Sequence, residues 1–120
     1  MKLALYLSKW RNIEKIEFYS KYFEKFYSTL DVKVQDKFIW TFQLIEEIER
    51  VPDKYLKHVE DGIYEIRVKH GSNIYRAFSF FDGQKLVITI NGFVKKTQKT
   101  PKEEIKRAIK IRQDYHNEEK

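Results

Sequence analysis

The sequence predicts a single α+β domain in which helices pack on one antiparallel sheet. The chain has 120 residues, the size of one ordinary domain, and we treat residues 1–120 as one unit. Apolar residues recur at helical spacing up to about residue 50, whereas the period becomes two after Gly62. Helix signals return at Pro101. Helices, then consecutive strands, then a last helix are typical of the α+β class.

The N-terminal part predicts a short strand and a short helix. Residues 1–12 have weak periodicity and are treated as an N-terminal extension of the domain. Residues 13–19 alternate apolar and charged side chains, which predicts a strand. Ser20 is a suitable N-cap, and the apolar residues that follow at helical spacing predict an amphipathic helix over residues 21–29.

A second helix completes a predicted helical hairpin. Asp31 is its N-cap, and Val51-Pro52 stops it after about residue 50. Its broad apolar stripe comprises Phe38, Trp40, Phe42, Ile45 and Ile48. The aromatic residues between positions 18 and 42 fall at core spacing, so we interpret them as core and not as a platform for stacking bases. Residues 53–61 are polar and predict a loop.

Three strands after Gly62 predict an antiparallel meander. The first strand alternates up to Lys69, and Gly71-Ser72 predicts a tight turn. Residues 74–81 form the second strand, and Asp82-Gly83 predicts the turn that follows it. Residues 85–91 are apolar on both faces, which indicates an interior strand.

The C-terminal part predicts a basic loop and a last helix. The loop covers residues 92–99. Residues 100–103 (Thr-Pro-Lys-Glu) then combine a capping box with proline at the first helical position. The apolar face of this helix runs to about Tyr115, and residues 116–120 are expected to fray.

Composition excludes several classes of protein. The chain has no cysteine, which excludes a disulfide scaffold and a thiolate metal site. The three histidines lack the spacing of a metal site, so we expect neither a metal nor another cofactor. No apolar run approaches the roughly 18 residues of a membrane-spanning helix. We therefore expect a cytoplasmic protein that does not engage a membrane.

The positive charge is concentrated in one segment. The formal net charge is +6, yet residues 1–61 carry 11 basic and 11 acidic residues. Residues 93–112 alone carry eight basic and two acidic residues. Such concentration indicates a polyanion or an acidic protein as a partner, and binding to a polyanion should weaken steeply with salt.

Strand register predicts a row of polar side chains across the meander. A two-residue turn at Gly71-Ser72 places Arg67 opposite Arg76, and a two-residue turn at Asp82-Gly83 places Arg76 opposite Thr89. Like charges directly opposite each other are destabilising. The pair is therefore tolerable if Glu65 bridges it or if the site receives an anion such as phosphate. Two solvated arginines on an exposed face remain an equally good interpretation.

Lysines form a second candidate site. Three of them crowd the predicted basic loop, where their mutual repulsion favours a functional role, at positions Lys95, Lys96 and Lys99. Three more continue the charge at four-residue spacing on the last helix, at Lys102, Lys106 and Lys110. The second set is interpreted as a solvated basic helix face.

Three stretches together resemble the RelE/ParE toxin superfamily, in particular its HigB-like, phage-derived branch. They are residues 62–67 (Gly-Ile-Tyr-Glu-Ile-Arg), 74–76 (Ile-Tyr-Arg) and 91–101 (Asn-Gly-Phe-Val-Lys-Lys-Thr-Gln-Lys-Thr-Pro). The resemblance covers residues 13–115. It implies a RelE-like fold and a toxin of a type II toxin–antitoxin module, with a helix-turn-helix antitoxin as partner. Many such toxins are ribosome-dependent endoribonucleases that cut messenger RNA.

The resemblance also implies roles for individual residues. Arg67 and Arg76 match the family's basic positions on the two central strands. The basic loop that faces the scissile phosphate is matched by Lys95, Lys96 and Lys99. Tyr115, near the chain end, is similar to a tyrosine or histidine that some members use. Glu65 departs from the family, because some ribosome-dependent members have lysine there.

The implied chemistry needs no metal. A base removes the proton of the 2′-OH, an acid protonates the leaving 5′-oxygen, and cations stabilise the added negative charge. Arg67 and Arg76 suit the last role, whereas Lys95 or Lys96 is a candidate base if its neighbours lower its pKa. Two other functions stay open: a ParE-like poison of gyrase, and a non-catalytic module that binds RNA or the ribosome.

Overall fold

The computed structural model describes residues 16–19, 22–48, 50–88, 93–95 and 102–119. The predicted extension at residues 1–12 lies outside these ranges. In chain order the elements are β1 (Ile16–Phe18), α1 (Tyr22–Ser28), α2 (Val32–Glu47), β2 (Leu56–Glu60), β3 (Ile63–His70), β4 (Asn73–Asp82), β5 (Lys85–Ile88), β6 (Phe93–Lys95) and α3 (Lys102–Glu119). The described part of the chain is thus α+β, as the sequence predicts.

The helical hairpin is confirmed as α1 and α2. The predicted cap is also confirmed, because the Asp31 side chain accepts a hydrogen bond from the Lys33 amide at 2.8 Å. That bond satisfies one of the amides that a helix start leaves without an intrahelical partner. Helix α2 ends at Glu47, a few residues before the predicted end.

The sheet is mixed and not purely antiparallel. Its strand order is β1-β5-β4-β3-β2, and β6 pairs with β4 beside this path. Strand β1 runs parallel to β5, with Ile16 opposite Leu86, whereas the other pairings are antiparallel. The two helices of the hairpin lie between β1 and the meander in sequence, and such a long connection permits a parallel return.

The predicted meander is confirmed by β3, β4 and β5, but the predicted loop before it is wrong. Residues 56–60 form β2, which pairs with β3 through the two-residue turn Asp61-Gly62. Both turn residues have positive φ, 51° and 75°. Asp-Gly is a strong signal for such a turn, so the sequence contained the information for this hairpin.

The register of the first predicted turn is confirmed, whereas the second turn is shifted by one residue, which moves each cross-strand partner by two residues. Arg67 lies opposite Arg76, and Glu65 opposite Phe78. At the second turn Asp82 pairs with Lys85, so that Gly83 (φ 61°) takes the first turn position instead of the second. The predicted pair of Arg76 and Thr89 is therefore wrong: Arg76 lies opposite Phe93 of β6.

Strand β6 begins where a basic loop was predicted. It pairs with the first part of β4, from Ile74 to Arg76, while β5 pairs with the last part of the same edge. Residues 89–92 and 96–101 lie outside the described ranges. The backbone at the start of the lysine-rich segment is thus fixed beside Arg76.

Helices cover both faces of the sheet. The hairpin packs on one face through a phenylalanine-rich core that includes Phe23, Phe38 and Phe42. Helix α3 packs on the other face, where its buried residues contact Ile63, Phe78, Phe80 and Val87. The aromatic residues of α1 and α2 are accordingly core, as predicted, with two exceptions: Tyr22 is 39% exposed and Trp40 is 52% exposed.

Helix α3 continues to Glu119, beyond its predicted end near Tyr115. Its Arg112 side chain donates hydrogen bonds to the backbone oxygen and the carboxylate of Asp61, which ties α3 to the β2–β3 turn. Within the described ranges, no helix is both long and apolar enough to span a membrane.

Tyr19 predicts a dependence of stability on alkaline pH. It follows β1, its ring contacts that of Tyr115, and its pKa is raised to about 12, first by burial and then by Glu118 and Asp114. The fold therefore favours the neutral phenol. This contribution is complete below pH 10 and is lost as the pH rises through about 12. We expect the free energy of unfolding, measured by denaturant titration at each pH, to fall over this interval. In Tyr19→Phe it should fall less. An identical decrease with pH in both proteins would contradict this assignment.

Candidate functional site

Three charged residues meet at the centre of the sheet. Glu65 and Arg67 lie on β3, two residues apart and so on one face, and Arg76 lies opposite Arg67 on β4. The relative exposure of Arg76 is 0% and that of the Glu65 side chain is 1%. The Arg67 side chain is 13% exposed. We call these three residues the arginine cluster.

Glu65 bridges the two arginines. Its Oε1 accepts a hydrogen bond from Nη1 of Arg76 and lies 3.9 Å from Nε of Arg67. Burial lowers the pKa of the Arg76 guanidinium and Arg67 lowers it further, whereas Glu65 raises it. The structure thus realises the first of the two predicted ways to tolerate opposed arginines: a carboxylate lies between them.

Burial of Arg76 excludes the interpretation that both arginines are solvated on an exposed sheet face. A fully buried guanidinium cannot bind RNA directly, and its removal would leave the buried Glu65 carboxylate without this partner. Arg67 retains some exposure, so it is the cluster member that can reach an anion. Arg76 is better described as a positioning residue that holds Glu65, which in turn lies beside Arg67.

The structure places only part of the lysine-rich segment. The backbone of Lys95 lies opposite Ile74, two residues from Arg76 along β4. Lys96 and Lys99 lie outside the described ranges. The chain therefore enters its basic segment next to the arginine cluster.

The lysines of α3 lie in solvent, as the sequence predicts. Lys102, Lys106 and Lys110 are all exposed. Lys106 lies 3.8 Å from the Glu103 carboxylate, and the two side chains are 73% and 87% exposed. An ion pair this exposed contributes little to stability.

Tyr115 lies apart from the arginine cluster. It is 2% exposed, and its hydroxyl donates a hydrogen bond of 2.7 Å to Asp82. Asp82 ends β4, six residues beyond Arg76. At about 3.3 Å per residue, these two positions on β4 are separated by roughly 20 Å. The structure therefore does not bring Tyr115 together with Arg67 and Arg76.

Tyr115→Phe should separate structure from function. The substitution removes the hydrogen bond to Asp82 but keeps the ring that packs on Tyr19 and Phe80. We expect the free energy of unfolding to fall by about 1 kcal/mol, measured by denaturant unfolding, with toxicity in induced cells unchanged. Loss of toxicity from a protein of nearly wild-type stability would instead support the catalytic role that the resemblance implies.

The sequence did not indicate a surface cleft that shares one lining residue, Arg67, with the arginine cluster. It lies between α2 and the outer edge of β3, has a volume of about 790 Å³, and is lined in part by Trp40, Tyr55 and Arg67. Trp40 was assigned to the core stripe, but two residues along a helix rotate a side chain by about 200° away from Phe38. The helical period itself thus places Trp40 off the buried face.

Comparison with known proteins assigns the family. Residues 25–113 match the family described as phage derived protein Gp49-like. The match spans the arginine cluster, both central strands and most of α3. The chain therefore belongs to the Gp49-like phage-derived family, a toxin–antitoxin toxin family related to RelE and HigB. Membership implies an antitoxin partner. No protein of curated function matches the chain.

Proposed function

We propose that this chain is the toxin of a type II toxin–antitoxin module, of the HigB-like branch with a RelE-like fold. In this proposal it is a metal-independent, ribosome-dependent endoribonuclease that cleaves messenger RNA in the cytoplasm. One observation carries the proposal beyond family membership: Arg67 is held beside a buried Glu65–Arg76 pair, and Arg76 lies opposite β6, where the lysine-rich segment begins.

The reaction assigns distinct roles to these residues. The 2′-OH of one nucleotide attacks the adjacent phosphate, and the 5′-oxygen of the next nucleotide leaves with a proton. Arg67 stabilises the added negative charge on the phosphate through its guanidinium. Lys95 or Lys96 takes the proton of the 2′-OH, which requires that neighbouring positive charge lower its pKa. Binding in the ribosome aligns the 2′-OH with the phosphate.

The distribution of positive charge supports RNA or the ribosome as a partner. Residues 93–112 carry eight basic and two acidic residues, and the described lysines of this segment on α3 are exposed. Lys99, Lys102, Lys106 and Lys110 are assigned to the binding of RNA or the ribosome. A helix-turn-helix antitoxin would neutralise the toxin by covering this patch with acidic or apolar residues.

Primer extension on messengers from induced cells tests the proposal. The nuclease produces new 5′ ends within codons soon after induction, and coexpression of the antitoxin suppresses them. Growth arrest without new ends would instead favour a gyrase poison, which binds a protein and cuts no RNA. Ribosome binding without arrest or new ends would favour the non-catalytic module.

A further inference from the structure

The cleft between α2 and β3 combines an exposed aromatic ring with positive charge. Trp40 of α2 is 52% exposed, and its ring meets that of Tyr55 at 66° with the centroids 5.4 Å apart. Nζ of Lys54 lies 4.9 Å from the centroid of the Tyr55 ring. The cleft is thus lined by an indole that contacts Tyr55 and leaves about half of its surface exposed.

Two hydrogen bonds to backbone oxygens hold the walls of the cleft together. The Arg67 amide donates to the backbone oxygen of Tyr55 at 2.8 Å, and Nζ of Lys37 donates to the backbone oxygen of Lys69 at 3.1 Å. These bonds tie the segment after α2, and α2 itself, to the outer edge of β3. The cleft is therefore part of the folded scaffold.

The lining of the cleft is cationic. Its charged residues are four cations and one acid, Lys37, Lys54, Arg67, Lys69 and Asp36. Arg67 belongs both to this lining and to the arginine cluster. The cleft and the arginine cluster thus share one residue of β3, although the cluster side chains lie on the sheet face that α3 covers.

We propose that this cleft binds one nucleotide of single-stranded RNA, with its base stacked on Trp40 and its phosphate near Lys37 and Lys54. The choice of RNA as the ligand rests on the proposed function. Flat bases stack on exposed aromatic side chains, and cations beside them bind the backbone. An acidic peptide would pair with the cations of the cleft, but it has no flat base to stack on the exposed indole of Trp40. The volume of about 790 Å³ accommodates a nucleotide.

Trp40 provides its own spectroscopic probe. The chain has two tryptophans, Trp10 and Trp40, so a Trp10→Phe protein emits from Trp40 alone. The probe ligand is a six-nucleotide 2′-O-methyl RNA, whose blocked 2′-oxygens prevent cleavage. We expect this RNA to quench Trp40 emission. An abasic oligonucleotide of the same length keeps the phosphates, and we expect it to bind at least about fivefold more weakly without quenching.

Substitutions give a second, independent measurement. Anisotropy of a labelled 2′-O-methyl RNA should show affinity reduced by about 5- to 150-fold in Trp40→Ala, with partial recovery in Trp40→Phe. The matched control is Phe81→Ala, because Phe81 is another exposed aromatic residue, at 47%, and does not line this cleft. Its affinity should equal that of the wild type.

Several results would overturn the assignment. Equal affinity for abasic and intact RNA would show that charge alone acts, and quenching by a hexaglutamate peptide but not by RNA would make the cleft a protein-docking site. Messenger cleavage without quenching of Trp40 would refute RNA binding in the cleft but leave the nuclease activity supported. Quenching without messenger cleavage would support RNA binding in the cleft and refute the nuclease activity.

Discussion

Arg76→Ala is expected to destabilise the fold by about 3–5 kcal/mol. The substitution leaves the Glu65 carboxylate, 1% exposed, without its buried guanidinium partner. Because small domains have a total stability of about 5–15 kcal/mol, this loss removes a large part of it. Thermal and denaturant unfolding of the purified protein measure the change. Loss of toxicity in this variant would then report loss of fold and not loss of catalysis.

A double substitution provides the control for this prediction. Glu65→Leu combined with Arg76→Met removes both charges together, and we expect it to recover most of the stability that Arg76→Ala loses. Lys106→Ala, on the exposed side of α3, should unfold like the wild type. An Arg76→Ala protein as stable as wild type would show that the pair does not stabilise the fold, and the positioning role would fall with it.

Arg67→Ala is expected to reduce messenger cleavage by about 10²–10³-fold while the fold persists. The loss follows from removing one donor that stabilises charge developing on the phosphate. Stability should change by about 1 kcal/mol or less, because Glu65 keeps its bond to Arg76 and the Arg67 amide keeps its bond to Tyr55. Cleavage rates on programmed ribosomes, measured beside a thermal melt, give both quantities.

Two variants sharpen this second prediction. Arg67→Lys keeps the charge but loses the two-pronged geometry of the guanidinium, so we expect intermediate activity. Lys106→Ala should remain toxic, because its exposed ammonium group contributes only one charge to a broad patch. Wild-type cleavage by a well-folded Arg67→Ala protein would remove Arg67 from the mechanism.

Local signals in the sequence predicted much of the fold. Turn arithmetic from Gly71-Ser72 placed Arg67 opposite Arg76, and the Asp31 cap located the start of α2. The next predicted register was wrong by two residues because the turn begins at Gly83 and not at Asp82, and only the pairing of the strands decides between these positions. The Asp61-Gly62 signal was present but unused, since the residues before it are polar.

The candidate site was predicted in its residues but not in its environment. Side-chain alternation puts Glu65, Arg67 and Arg76 on one face, yet it does not say what covers that face. Burial of Arg76 depends on the packing of elements far apart in sequence. The parallel pairing of β1 with β5 has the same origin, because it joins segments about 70 residues apart. Long-range packing of this kind has no local signature.

The chemistry of the cut ends tests the central claim most directly. Purified wild-type protein is incubated with ribosomes programmed with a defined messenger, and both ends of each product are identified. Attack by the 2′-OH predicts a 2′,3′-cyclic phosphate upstream and a 5′-hydroxyl downstream, with no cut at a codon carrying 2′-deoxy nucleotides. Cleavage that persists at the deoxy codon, or an intact messenger throughout, would contradict the account.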